Sequence, residues 1–308
     1  MSSRWAILLG AIAACTRNPE RLPPLRDPDP AVVPNPAPVA EPADGAVAAA
    51  RAPTPDAGPP VRDPLGGVPW QFDLVEEVDG GAKAATKIGV VSVPLGARER
   101  RPIVVAMHGG SDQPGWACGE WRGVTNAYPF IVCPRGSGSE SALYWASLPD
   151  TQARVARAIA ATRKLFPTWI AEGPTVLVGF SMGATQAILL ARGDPKTYRR
   201  VVIAESAYDP DPAIAFAKPW TAGGGERAIF LCTTVACEAT YANAARNVAR
   251  YGVPARLNIA GTNQHGIWAV VVRSMRRDWP WLVEGVAGWE GYTPAVESEP
   301  LPGKTQSF

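Results

Sequence analysis

Gly179-Phe180-Ser181-Met182-Gly183 sets one hydroxyl between two glycines, at the end of an apolar run that begins at Thr175. The pattern predicts a buried strand from Thr175 to Phe180, a sharp turn at Ser181 and a helix from Met182 towards Arg192. A serine on such a turn holds a strained backbone and needs small neighbours, while the helix behind it points its positive end at the same spot. That setting suits attack on a carbonyl, if a base and anion-stabilising donors converge there. The chain has two histidines, His108 and His265. His108 opens His108-Gly109-Gly110 directly after the apolar run Ile103 to Met107, and His265 follows the run Arg256 to Ala260.

With His-Gly-Gly upstream, the serine next and the second histidine last, residues from about 68 to 290 resemble an α/β-hydrolase of the esterase and lipase kind. The resemblance implies acyl transfer to water. Ser181 would be the nucleophile and His265 its general base, and the N–H groups of Met182 and Gly110 would receive the oxyanion. Glycines at 109 and 110 let that loop approach closely, and His108 is expected to shape it. Members of this family usually carry the acid just after the strand that here ends near Cys232, yet Thr233 to Cys237 contains no carboxylate. Glu238 comes next and ranks first for the role. Asp209 and Glu205, after the preceding strand, rank second and third.

The expected activity is therefore hydrolysis of a small-molecule carboxylic ester or other acyl substrate through a Ser-His-acid triad. An acyltransferase or peptidase on the same fold is an alternative, as is a catalytically inactive hydrolase-like module that binds within the envelope. Trp116, Trp121, Trp145 and Trp268 lie in segments expected to border the site, where they would pack the loops or receive an apolar group. No cofactor and no metal site is expected, because histidines are few and carboxylates unclustered. Gly223-Gly224-Gly225 lacks the Lys-Ser or Lys-Thr of a phosphate loop. With 30 Lys and Arg against 28 Asp and Glu, and no basic stripe interleaved with aromatics, a nucleic-acid partner is not expected. Oligomeric state is not legible.

The elements that must position these residues alternate between strand and helix. Trp70 to Val78 and Thr86 to Val93 read as antiparallel opening strands, with Asp79-Gly80-Gly81 as their turn. Ile103 to Met107, Phe130 to Cys133, Thr175 to Phe180, Arg200 to Ala204, Ala228 to Cys232 and Arg256 to Ala260 read as a mostly parallel sheet. Helices are expected at Gln152 to Phe166 (Val155, Ile159 and Leu165 inward, capped by Asp150 or Thr151), Met182 to Arg192, Ala239 to Tyr251 and Trp268 to Arg277. Gly109 to Val124 reads as a loop, and Pro134 to Ser139 as a turn near the site mouth. The fold class is thus α/β, an α/β-hydrolase domain over 67–290, with a disordered tail over 291–308.

Ahead of it, Arg4 and the apolar run Trp5 to Ala14 form a leader too short to span a bilayer. Its end, Ile12-Ala13-Ala14-Cys15, resembles a bacterial lipoprotein signal over residues 1–15, with lipid attached to Cys15. Thr16 after it implies passage to the outer membrane, facing the periplasm or the cell surface, with contact to the membrane through the lipid alone. Residues 16–66, rich in Pro and Ala, read as a disordered linker. The chain has five cysteines, and setting Cys15 aside leaves an even number, as disulfides in an exported protein require. The pairings local in sequence are Cys118–Cys133 and Cys232–Cys237.

Overall fold

Runs such as Ile103-Val104-Val105-Ala106-Met107 and Val201-Val202-Ile203-Ala204 are apolar at every position, which a strand tolerates only when both its faces are covered. The computed structural model, which describes residues 62–76, 86–206 and 211–308, covers them on both sides. In chain order the first half comprises β1 (Gln71–Glu76), β2 (Thr86–Ser92), β3 (Ile103–Met107), α1 (Pro114–Val124), β4 (Phe130–Pro134), β5 (Ser137–Ser139), β6 (Ala142–Tyr144) and α2 (Leu148–Leu165). The centre is β7 (Val176–Phe180), α3 (Met182–Gly193), β8 (Arg200–Ala204), α4 (Asp211–Ala215), α5 (Ala217–Ala222) and β9 (Arg227–Cys232). Then follow α6 (Glu238–Arg250), β10 (Ala255–Ile259), α7 (Ala269–Arg276), α8 (Trp279–Val283) and β11 (Lys304–Ser307).

The main sheet runs β1-β2-β4-β3-β7-β8-β9-β10-β11. Strands β4, β3, β7, β8, β9 and β10 are mutually parallel, β2 and β11 flank them antiparallel, and β1 pairs antiparallel with β2 at the edge. Alternate strand residues enter opposite cores. Val105 and Met107 join α2, α3 and α6 on one face, while Val104 and Ala106 join α1, α7 and α8 on the other. The parallel strands all end at one edge, so the loops after β3, β7, β8, β9 and β10 gather there, as in open α/β sheets generally. The chain enters at the other edge: Leu65 N–H donates to Ala97 O at 2.7 Å and the Arg62 guanidinium to Thr168 O at 2.7 Å. Phe308 N–H donates to Ala255 O at 3.0 Å, so the far end also closes on the start of β10.

Several expectations need correction. Gly109 to Val124 is not all loop: Pro114–Val124 is α1. Gly115, Gly119 and Gly123 weaken the helical signal, but Ala117, Cys118, Trp121 and Val124 form a buried stripe that tertiary packing rewards. Helix α2 begins earlier than Gln152, at Leu148, because Ser147 caps it by accepting from Asp150 N–H. Leu165 is not inward but exposed, and Thr151, Val155, Ala158 and Thr162 form the buried stripe. The turn cluster at Pro134 to Ser139 leads into a hairpin, β5 with β6. The tail over 291–308 is ordered: Lys304–Ser307 pairs with β10, and Glu297 holds Arg273 and Arg276. Its polar sequence hides the strand, since edge pairing is carried by backbone groups. Residues 1–61, Asp79-Gly80-Gly81 and Asp209 lie outside the described residues, and with them the leader, Cys15 and most of the linker.

Candidate active site

Ser181 sits between β7 and α3 with φ 53° and ψ −121°, a region that L-residues avoid. The surroundings hold it there. Its N–H donates to Ala204 O at 2.8 Å, and its carbonyl accepts the N–H groups of Ala184 and Thr185. The two motif glycines are required by contact: a Cβ on Gly179 would lie 2.5 Å from Gly183 O, and one on Gly183 would lie 2.4 Å from the carbonyls of Met107 and His108. So the helix start is pressed against the end of β3.

The loop after β3 runs beside this turn. A Cβ on Gly109 would be 3.3 Å from Ser181 Cβ, and one on Gly110 would be 3.3 Å from Met182 Cε. Gly110 and Met182 are therefore neighbours, and the Met182 N–H belongs to the first helical turn, where amides lack intrahelical partners. Met182 Sδ accepts Trp145 N–H at 3.4 Å. His108 is fully buried and braces the loop: its Nδ1 lies 2.7 Å from Gly109 O, and its Nε2 accepts Gly136 N–H at 3.1 Å. An accepting Nε2 puts the ring proton on Nδ1. Burial holds this imidazole below its ordinary range, so the neutral form that both bonds need is the favoured one. Trp145 stacks on the ring at 4.8 Å and donates Nε1–H to His108 O at 2.9 Å.

His265, in the loop between β10 and α7, is half-exposed, and its ring lies 4.7 Å from that of Phe180, the residue before Ser181. Its Nδ1 is 2.5 Å from Glu205 Oε2. Of the three carboxylates, the one ranked last in sequence is thus the one at the histidine. Glu238, ranked first, points to the far edge of the sheet, 3.3 Å from Lys304 Nζ and 3.3 Å from Gln306 Nε2. Glu205 is 5% exposed at the end of β8, with φ 43°. Its other oxygen, Oε1, accepts Thr233 N–H at 3.1 Å, Thr234 N–H at 2.6 Å and Thr234 Oγ1–H at 2.7 Å. Burial alone would push this carboxyl up, but the bonds from His265, Thr233 and Thr234 outweigh it and hold the pKa at about 2. An ionised carboxylate only accepts, so His265 carries its proton on Nδ1 and keeps Nε2 free to act as a base.

Thr233 and Thr234 were not singled out from sequence; the available signal was two hydroxyl residues in succession just past a buried strand. Cys118 and Cys133 lie 2.11 Å apart at sulfur and Cys232 and Cys237 2.03 Å, the two pairings expected. The tryptophans divide. Trp121 is core, packed on Trp279 at 6.0 Å rather than at the site, and Trp145 braces His108. Trp268 lies against Gly266 in the histidine loop, and Trp116 is half-exposed at the start of α1. Among the described residues, no group of three or more His, Cys, Asp or Glu is placed to hold a metal ion.

No family model matches the chain, and no curated protein matches it in sequence. Solved structures do match in shape. FphF, a fluorophosphonate-binding serine hydrolase of Staphylococcus aureus, aligns over 70% of this chain and 98% of its own at 12% identity and a TM-score of 0.50. The S-formylglutathione hydrolase FrmB of the same organism aligns over 70% and 97% at 10% identity and a TM-score of 0.49. An esterase of Rhizomucor miehei aligns over 69% and 78% at 16% identity and a TM-score of 0.45. Sheet order, crossovers and the likeness to FphF define this chain as a protein of the α/β-hydrolase fold.

Proposed function

We propose that the protein is a serine hydrolase that cleaves carboxylic esters of small molecules, with Ser181, His265 and Glu205 as its triad. One observation carries the reading: the strained Ser181 on the elbow after β7 directly follows Phe180, whose ring lies 4.7 Å from that of His265, and His265 Nδ1 is in turn 2.5 Å from the buried Glu205 carboxylate. In the reaction, His265 Nε2 takes the proton of Ser181 Oγ as that oxygen bonds to the substrate carbonyl carbon. The N–H groups of Met182 and Gly110 receive the oxyanion. Glu205 stays ionised and stabilises the imidazolium. His265 then protonates the departing alcohol, leaving an acyl-Ser181. Water, deprotonated by His265, attacks this ester, and Ser181 recovers its proton as the acid is released.

FphF, which shares this fold, is described as a fluorophosphonate-binding serine hydrolase, which supports this class of reaction. The leader, read from sequence, adds the proposal that Cys15 carries a lipid anchor on a bacterial outer membrane. A fluorophosphonate probe and a short-chain aryl ester test the catalytic reading. The wild type should label at Ser181 and turn over the ester, and Ser181→Ala should lose both with an unchanged circular dichroism spectrum. A properly folded wild type that neither labels nor turns over the ester would be a binding module instead.

A further inference from the structure

Between β9 and α6 lies a segment of the chain that touches both halves of the Glu205–His265 pair. On one side, the N–H groups of Thr233 and Thr234 and the Thr234 hydroxyl are the donors that hold Glu205 Oε1. On the other, Thr233 O accepts both the N–H (3.1 Å) and the hydroxyl (2.7 Å) of Thr262, which sits in the loop that carries His265. Cys232 O accepts Ala260 N–H at 2.9 Å at the root of the same loop. All these groups fall within the stretch that Cys232 and Cys237 close, their Cα atoms 5.8 Å apart. Cys232, itself fully buried, ends β9 and Cys237 abuts the first residue of α6, so both ends of the clamp are fixed to rigid elements.

We infer that the Cys232–Cys237 bridge and Thr234 are positioning groups for the acid and the base, and that opening the bridge lowers turnover while the protein stays folded. The inference rests on the serine hydrolase reading above. Without the bridge, the segment keeps its peptide links to β9 and α6 and its hydrogen bonds, three of them to the Glu205 carboxylate, but loses the cross-link that holds its two ends together. Displacement of that carboxylate by a fraction of an ångström misaligns the imidazole. The two bridges also differ in access. Cys118 and Cys133 are fully buried between α1 and β4, whereas Cys237 is half-buried beside the exposed Val235. A small dithiol reductant should therefore open Cys232–Cys237 first. Its thiolate attacks Cys237 Sγ, the mixed disulfide forms and Cys232 leaves as a thiolate that takes up a proton. The reductant's second thiol then closes on the first, releasing Cys237 as a thiol. Two electrons pass from the dithiol, which becomes a cyclic disulfide, to the bridge.

The test treats the full chain with dithiothreitol at a concentration where alkylation and mass spectrometry show Cys232 and Cys237 free and Cys118 and Cys133 still bridged. Expected are a fall in kcat on the order of ten- to a hundredfold, KM within about twofold, recovery on reoxidation, and an unfolding temperature still above that of the assay. The low-field proton resonance of the Nδ1–H shared with Glu205 should be lost or shifted upfield. Cys232→Ser with Cys237→Ser should reproduce the opened state and no longer respond to reductant. Thr234→Val should lower kcat roughly severalfold, and Thr234→Ser should restore it. An opened bridge with unchanged kcat and an unchanged low-field resonance overturns the inference. If the oxidised wild type neither labels nor turns over, the hydrolase reading is what fails; the resonance still decides the clamp, supporting it if lost on reduction and overturning it if retained.

Discussion

Glu205 shows how one side chain can be settled by groups remote in sequence. Its partners Thr233 and Thr234 follow a different strand, and His265 follows another, 60 residues on. Because its folded pKa is held near 2 against an ordinary 4.5, the carboxylate stabilises the fold above about pH 4.5. That contribution is lost as pH falls through 4.5 towards 2, and its full size is about 3 kcal/mol. Denaturant titrations of wild type and Glu205→Gln should show the wild type losing stability more steeply across that window, the gap closing near pH 2. The same variant should lose at least about a hundredfold in kcat at neutral pH, since an amide cannot stabilise the imidazolium. The elbow at Ser181 and the loop position of His265 were legible because their motifs are local: two glycines at a strand end, and a histidine after a strand. Which carboxylate stands beside His265 was not legible, because several carboxylates stand near strand ends and only the tertiary arrangement selects among them. Glu238 was preferred by proximity to β9, yet it begins α6 with its side chain towards Lys304 and Gln306.

At the scale of elements, the parallel strands were readable because burial on both faces leaves apolar runs without alternation. Helix α1 was hidden by its glycines, and β11 by its polarity. The second of these has a measurable role. Thr305 Oγ1–H donates to Asp278 Oδ2 at 2.6 Å, and that buried carboxylate also accepts from Arg256 at 3.0 Å and Asn258 at 2.8 Å. Phe308 packs on the core beside the start of β10. Removing residues 304–308 should therefore lower stability by roughly 2–4 kcal/mol and bare the β10 edge for pairing with another chain. Urea denaturation and light scattering would check both; an unchanged midpoint would mean that the last strand contributes nothing.

For the whole molecule, the sheet assigns separate duties to its two edges. The amino edge carries the entry at Arg62 and Leu65 and the closure of Phe308 on β10, and the carboxyl edge carries the loops after β3, β7, β8, β9 and β10. If Cys15 is lipidated as proposed, Cys15→Ala should shift the protein from the membrane to the soluble fraction on ultracentrifugation, with kcat/KM on a dissolved ester unchanged within about twofold. Wild type found wholly in the soluble fraction would exclude the anchor. The described chain enters at Arg62 and Leu65, on the edge of the sheet away from Ser181. A tether attached there would join the domain behind its open mouth, so the attachment itself would leave the approach to Ser181 clear for molecules arriving from solution.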